Sequence, residues 1–170
     1  MKYKQSKLKN IADISMGQSP KSEFFNNKKI GIEFLQGVKT FGELYPHYDT
    51  YTTNYKKYAN KNDILFSVRA PVGMVNFADK KVAIGRGISA IHVHSNFSKK
   101  YLFYYLKKIS NKLNHVSNGT VFTSINKKEL ENITINYPEK EEDQKKLANY
   151  LSLIDNKILF NNQINDNLVA

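Results

Sequence analysis

A chain of 170 residues with 41% hydrophobic content is long and apolar enough to bury one ordinary core, which excludes a disordered polymer. It has no cysteine, so disulfides, thiolate catalysis and cysteine-ligated zinc are excluded, and no run approaches the roughly 20 apolar residues of a membrane span. Its net charge of +11 is uneven: residues 1–130 hold 22 Lys/Arg against 8 Asp/Glu, a balance of +14, and residues 131–170 hold 4 against 7, a balance of −3. A basic body suits a polyanion and leaves a different job for the acidic tail. A merely solvated lysine-rich surface is the alternative.

The opening "MKYKQSKLKNIADIS" lacks the apolar centre of a signal peptide, so a soluble, cytoplasmic protein is expected. "LKNIADIS" predicts a short helix running into a strand, and "GQSP" then punctuates. "KKIGIEFLQGVKTF" predicts a strand around Ile32–Gln36. The polar stretch from Gly42 to Asp63 carries five tyrosines between Tyr45 and Tyr58. Pro46, Asp49 and the Thr52–Thr53 pair argue against one continuous helix there. From Asp63 the pattern turns strongly to strand: "DILFSV", "MVNFA", "VAI" and "ISAIHV", separated by the turns "RAPVG", "DKK" and "GRG". Strands this crowded predict one compact sheet.

A helix follows. Ser95, Asn96 or Ser98 can cap it, and "KKYLFYYLKKISNKL" repeats apolar residues at Leu102, Tyr105 or Leu106, Ile109 and Leu113. "SNGTVFTS" (117–124) reads as a loop or bulged strand, "SINKKELENI" as a short capped helix beginning at Ser124, and "TINYP" as a final strand. No Gly or Pro occurs from Glu139 to Ala170, which predicts a helix of up to 32 residues. At 1.5 Å per residue it would reach roughly 45 Å. Leu147, Leu151, Ile154, Ile158, Asn161, Asn165 and Leu168 recur at coiled-coil steps, beside a second stripe of Tyr150, Leu153, Phe160 and Ile164. The acidic "EKEED" suits the positive end of the helix dipole. So long an apolar stripe is expected to meet a partner in part; packing wholly on its own domain is the alternative.

No assembled catalytic constellation is visible. "GRG" lacks the spacing of a dinucleotide fingerprint, and no phosphate-binding glycine loop occurs. His92 and His94 share one strand face but have no third ligand nearby in sequence, so no metal site is expected. The basic residues say more. Among 26 Lys/Arg only Arg69 and Arg86 are arginine, and both fall at seams between apolar runs. A planar guanidinium grips guanine O6 and N7 in a way that lysine's point charge does not. Either arginine is therefore a candidate base reader, Arg86 the stronger. The other reading has each arginine bracing its turn through backbone carbonyls or a buried carboxylate such as Asp63. The tyrosines, with Lys56, Lys57 and Lys61 among them, can stack on nucleic acid or cap a sheet edge; the latter is the plainer role for most of them.

In order and spacing, "LKNIADISMGQSP", "DILFSVRAPVGMVNFADKKVAIGRGISAI", "LFYYLK" and "SNGTVFTSINKKELENITINYPEKEEDQKKLANYLSLID" resemble the DNA-specificity (S) subunit of type I restriction–modification systems. The resemblance implies a mixed α/β (α+β) target recognition domain over 1–137 and a long coiled-coil spacer and dimerisation helix over 138–170. The family's P-x(5)-Q element corresponds to Pro138 and Gln144. Its members usually carry two such units, so this sequence resembles a half-subunit whose second unit is expected from another copy. The implied function is non-catalytic reading of double-stranded DNA on behalf of separate methyltransferase (M) and restriction (R) subunits, without a cofactor of its own. A stand-alone DNA-binding or regulatory protein, or a nuclease, is the rival. Candidate DNA contacts are Arg86, Arg69, Lys39, Lys21, Lys56 and Lys57, joined by Asn118 and Thr120 from the "SNGTVFTS" segment. Candidate helix contacts in a homodimer are Leu147, Leu151, Ile154, Ile158 and Leu168.

Overall fold

The computed structural model describes residues 1–114 and 124–169, with side chains described at all of these except 111–114, 166, 168 and 169. The polar opening forms β1 (Tyr3–Lys7); a 3-10 turn at Leu8–Asn10 then leads into β2 (Ala12–Met16). Short strands occupy the loop-rich stretch that follows: β3 (Phe25–Asn26), β4 (Ile32–Leu35), β5 (Tyr51–Thr52) and β6 (Tyr58–Ala59). The apolar runs give β7 (Ile64–Ser67), β8 (Val75–Phe77), β9 (Val82–Ile84) and β10 (Ile88–Val93). Helices α1 (Lys99–Asn114) and α2 (Lys127–Glu131), strand β11 (Thr134–Pro138) and helix α3 (Glu141–Val169) complete a mixed α/β fold. The predicted loop at 117–124 lies outside the described residues except for Ser124, which bridges Arg69.

Among the described residues the strands build three sheets, not the single one that their crowding predicts. One is antiparallel and four-stranded, β2-β10-β7-β8; one is five-stranded, β3-β5-β4-β9-β6; and β1 pairs with β11 alone. The physical reason lies in "GRG". Gly85 follows β9, which runs parallel to β4 in the second sheet, and Gly87 leads into β10 of the first. A Cβ on Gly85 would sit 2.9 Å from Phe34 Cζ and Ser19 Oγ, and one on Gly87 2.4 Å from the Gln36 carbonyl oxygen. The chain can change sheets here because both positions lack a side chain.

β7 lies between two cores. Ile64 and Phe66 enter the core beneath α1, with Leu102, Phe103 and Leu106, whereas Leu65 enters a second core with Leu35, Ile84 and Ile88. Burial on both faces explains why this part of the sequence reads as continuous apolar runs. Ser98 caps α1, its Oγ accepting from the Tyr101 N–H at 3.3 Å. The short helix α2 starts two residues later than the sequence predicts. Asn126 caps it in a reciprocal capping box with Glu129, while Ser124 is taken by its bridge to Arg69.

The long helix also starts two residues late, because the Glu139 N–H bonds the Lys2 carbonyl and prolongs the β1–β11 ladder. At 29 residues α3 extends about 43 Å. Gln144, 2% exposed, fastens it. Its Oε1 accepts from the Ser98 N–H at 2.9 Å and its Nε2 donates to the Pro138 carbonyl at 3.0 Å. One amide thus joins the start of α1, the end of β11 and α3, which gives the P-x(5)-Q spacing a physical purpose. Gln144→Ala is expected to destabilise the fold by about 1–3 kcal/mol for each backbone group left unpaired, as read by urea or thermal denaturation. Farther along, Tyr104 of α1 donates to Asp155 Oδ2 at 2.8 Å. Burial, and then that carboxylate, push its phenol above the ordinary value.

The face of α3 that meets α1 is modest: Ala148 is buried, and Ser152, Asp155 and Leu159 are half-buried. The more apolar stripes point elsewhere. Tyr150, Leu151, Leu153, Ile154, Ile158, Phe160 and Ile164 are all exposed, Ile154 by 58% and Phe160 by 64%. No helix among the described residues is long and apolar enough to cross a membrane.

Candidate nucleic-acid interface

Arg69 follows β7, and Arg86 lies between β9 and β10. They are 17 positions apart in sequence, yet the Val68 N–H bonds the Gly87 carbonyl at 2.9 Å and sets the two seams side by side. Both arginines are exposed, and both line one cleft of about 150 Å³ with Ser19, Gln36, Gly37, Val38, Ala70 and Gly87. Backbone bonds hold its walls: the Gly87 N–H reaches the Gln36 carbonyl at 3.2 Å, and the Arg86 N–H reaches Ser19 Oγ at 3.2 Å.

The bracing of Arg69 by Asp63 is not what the structure holds. Asp63 Oδ2 accepts from the Asn60 N–H, and its Oδ1 lies 2.8 Å from His92 Nδ1. Asp63 precedes β7 and Arg69 follows it, so the extended strand holds the two at opposite ends, and His92 meets the carboxylate across the sheet. Among the described residues neither guanidinium has a hydrogen-bond or ion-pair partner.

Two adjoining depressions extend this cleft into a track that carries Lys21, Lys56 and Lys57. Ser19 is shared with a neighbouring depression of about 330 Å³ that reaches Lys21 and Lys56. Lys56 is shared in turn with one of about 340 Å³ that includes Lys57, Tyr58 and His92 together with the carboxylates of Asp13 and Asp63. Lys39 stands on the 3-10 turn Val38–Thr40, one residue from the cleft wall. Its ion pair with Asp49 is loose, at 3.9 Å, and that of Lys21 with Glu23 is 3.7 Å; both lysines are highly exposed. Pairs this open contribute little to stability and leave the ammonium groups free for phosphate. Asn118 and Thr120 lie outside the described residues.

The tyrosines divide. Tyr48 donates to Asp79 and lies under Lys80, so it is structural. Tyr51 sits within β5, and Tyr58 on the edge strand β6, where Lys81 Nζ stands 4.2 Å over its ring. His92 and His94 face separate aspartates, Asp63 and Asp13, and among the described residues no cluster of three His, Cys, Asp or Glu can hold a metal. Sequence reasoning missed Ser19 and Gln36. They enter the cleft through a hydroxyl and a carbonyl, which leave no compositional mark.

The candidate helix contacts fall on α3. Leu147 is half-buried and lines, with Leu151 and Tyr150, a groove of about 710 Å³ against Tyr101, Tyr104 and Tyr105 of α1. Ile154 and Ile158 are exposed beyond it, and the Leu168 side chain lies outside the described residues.

Compared with known proteins, the chain matches over residues 1–170 the family described as the type I restriction modification DNA specificity domain. It is 46% identical over 148 residues to the putative type I restriction enzyme MjaX specificity subunit of Methanocaldococcus jannaschii, covering 85% of this chain and 34% of that one. The solved HsdS subunit of Thermoanaerobacter tengcongensis superposes with a TM-score of 0.80 at 32% identity, covering 95% of this chain and 39% of that one. A chain from work on assembly and conformational transition of the type I R-M system gives a TM-score of 0.84 at 33% identity, covering 98% and 41%. The chain thus spans about a third or less of the length of the curated relatives it matches, 34% and 23%.

Proposed function

The chain belongs to the type I restriction modification DNA specificity family, and we propose that it is the sequence-reading component of such a complex. It recognises double-stranded DNA and directs separate methyltransferase and endonuclease subunits, which carry the chemistry, to a bipartite site in the cytoplasm. Residues 1–137 serve as the target recognition domain and residues 138–170 as the spacer and dimerisation helix. Two copies paired through α3 then supply the two readings that a bipartite site requires, and a two-fold axis makes those readings identical.

One observation carries this reading. The only two arginines line one cleft, Lys21, Lys56 and Lys57 line the two depressions that adjoin it, and Lys39 is one residue from its wall, on a body of charge +14. Phosphate contacts position such a protein, and contacts to base edges specify its sequence. Methylome sequencing of cells carrying the intact system tests the proposal. An interrupted palindrome methylated in those cells, and unmethylated once this gene is deleted, is the expected result. An unchanged methylome, or a methylated site with unrelated halves, contradicts the proposal or its homodimer respectively.

A further inference from the structure

The Arg69–Arg86 cleft has a chemistry of its own within the track. Its lining residues, Ser19, Gln36, Gly37, Val38, Ala70 and Gly87 besides the arginines, include no carboxylate. Two exposed guanidiniums without partners among the described residues suit a ligand rich in acceptors. DNA offers two such ligands, the phosphate and the major-groove edge of guanine, with N7 and O6 side by side. For phosphate the chain already has 24 lysines, three of them candidate contacts on the same track and a fourth, Lys39, beside the cleft wall. Arginine differs from lysine in its planar fork, which matches two adjacent acceptors at once. The two forks also stand on a braced platform: Val68 is bonded to Gly87, Gly87 to Gln36 and Arg86 to Ser19. Gly85 and Gly87 admit no side chain, so Arg86 is the one side chain that "GRG" offers.

We propose that this cleft is a guanine-reading site, in which Arg69 and Arg86 each donate to O6 and N7 of a guanine in neighbouring base pairs. The target half-site accordingly contains two guanines, on one strand or on opposite strands. The inference rests on the DNA-reading function proposed above and adds the bases read and the residues that read them.

The test is selection from a library of random-sequence duplexes by the purified chain, its Arg69→Lys and Arg86→Lys variants, and Lys56→Ala as a phosphate-contact comparison. The wild-type chain should enrich sequences with two near-invariant guanines. Each arginine variant should relax one of them, discrimination at that position falling roughly 5- to 140-fold. Lys56→Ala should instead weaken all sequences alike. A second measurement does not depend on how the variants fold: 7-deazaguanine, which lacks N7, placed in the selected duplex should weaken the wild-type protein. It should leave unchanged the variant that no longer reads that base. Arginine variants that weaken binding evenly and keep the same preference would make the cleft a phosphate clamp and overturn the inference, as would a selected sequence without guanine. A wild-type chain that enriches no sequence would remove the DNA-reading function itself, and this inference with it.

Discussion

Raising the salt from 50 to 200 mM should weaken DNA binding by this protein by two to four orders of magnitude. Each phosphate neutralised lowers the slope of log affinity against log salt by about 0.9. If Lys21, Lys39, Lys56 and Lys57 each neutralise one, a single copy has a slope near −3.6 and loses about 150-fold over that fourfold change. Two copies on one duplex have a slope near −7.2 and lose about 20,000-fold. The same titration thus measures the charge of the track and counts the copies that use it. Replacing Lys56 and Lys57 together by Ala should reduce the slope by about two per copy and leave sequence preference intact. A flat salt dependence would rule out DNA as the partner of the basic body.

What the sequence disclosed, and what it hid, follows from burial. β7 and β10 are legible because both faces are buried, and the chain reads there as "ILF" and "ISAI" between turn residues. β1 is not, because "YKQSK" is almost wholly exposed and is a strand only through its pairing with β11, about 130 positions away. Two-residue strands such as β3, β5 and β6 are too short to show an alternation at all. The division into separate sheets was equally hidden. β9 and β10 read alike, and the parallel pairing of β9 with β4 is a long-range event. In the candidate site the arginines announced themselves by rarity, whereas their neighbours Ser19 and Gln36 did not. The alternative that paired Arg69 with Asp63 has a similar origin. The two are close in sequence, but β7 runs between them and sets them at its opposite ends, whereas His92 meets Asp63 across the sheet.

A second large effect is expected on assembly. Ile154→Asp combined with Ile158→Asp should convert the proposed dimer to a monomer in light scattering. Both residues are exposed on α3, at 58% and 46%. Burying such a side chain contributes about 1.5–3 kcal/mol, so four of them across a two-fold interface contribute about 6–12 kcal/mol. A charge at those positions forfeits that and adds the cost of desolvating a carboxylate. Asn161 and Asn165, polar on the same seam, are suited to fixing register at some expense of affinity. The fold of the basic body should survive, because among the described side chains of α3 Ala148 and Gln144, not the isoleucines, are the buried ones. If the wild-type chain is itself a monomer at working concentration, the homodimer is refuted. Inserting one heptad after Ile158 should lengthen the helix by about 10 Å. At about 3.4 Å per base pair the gap between half-sites then widens by about three base pairs.

The amide of Gln144 has a consequence for how such proteins change. Because it clasps β11, α1 and α3 at one point, the helix leaves the body in a fixed direction, whatever the reading loops contain. Among the described residues Ser19, Gln36, Arg69 and Arg86 make no hydrogen bond to α3, and none of α3 lines their cleft. In the proposed dimer, which bases are read and how far apart they stand are therefore separate inheritances. New loops can be exchanged onto the body without disturbing the ruler, and the ruler can be recut by whole turns of helix without altering what is read.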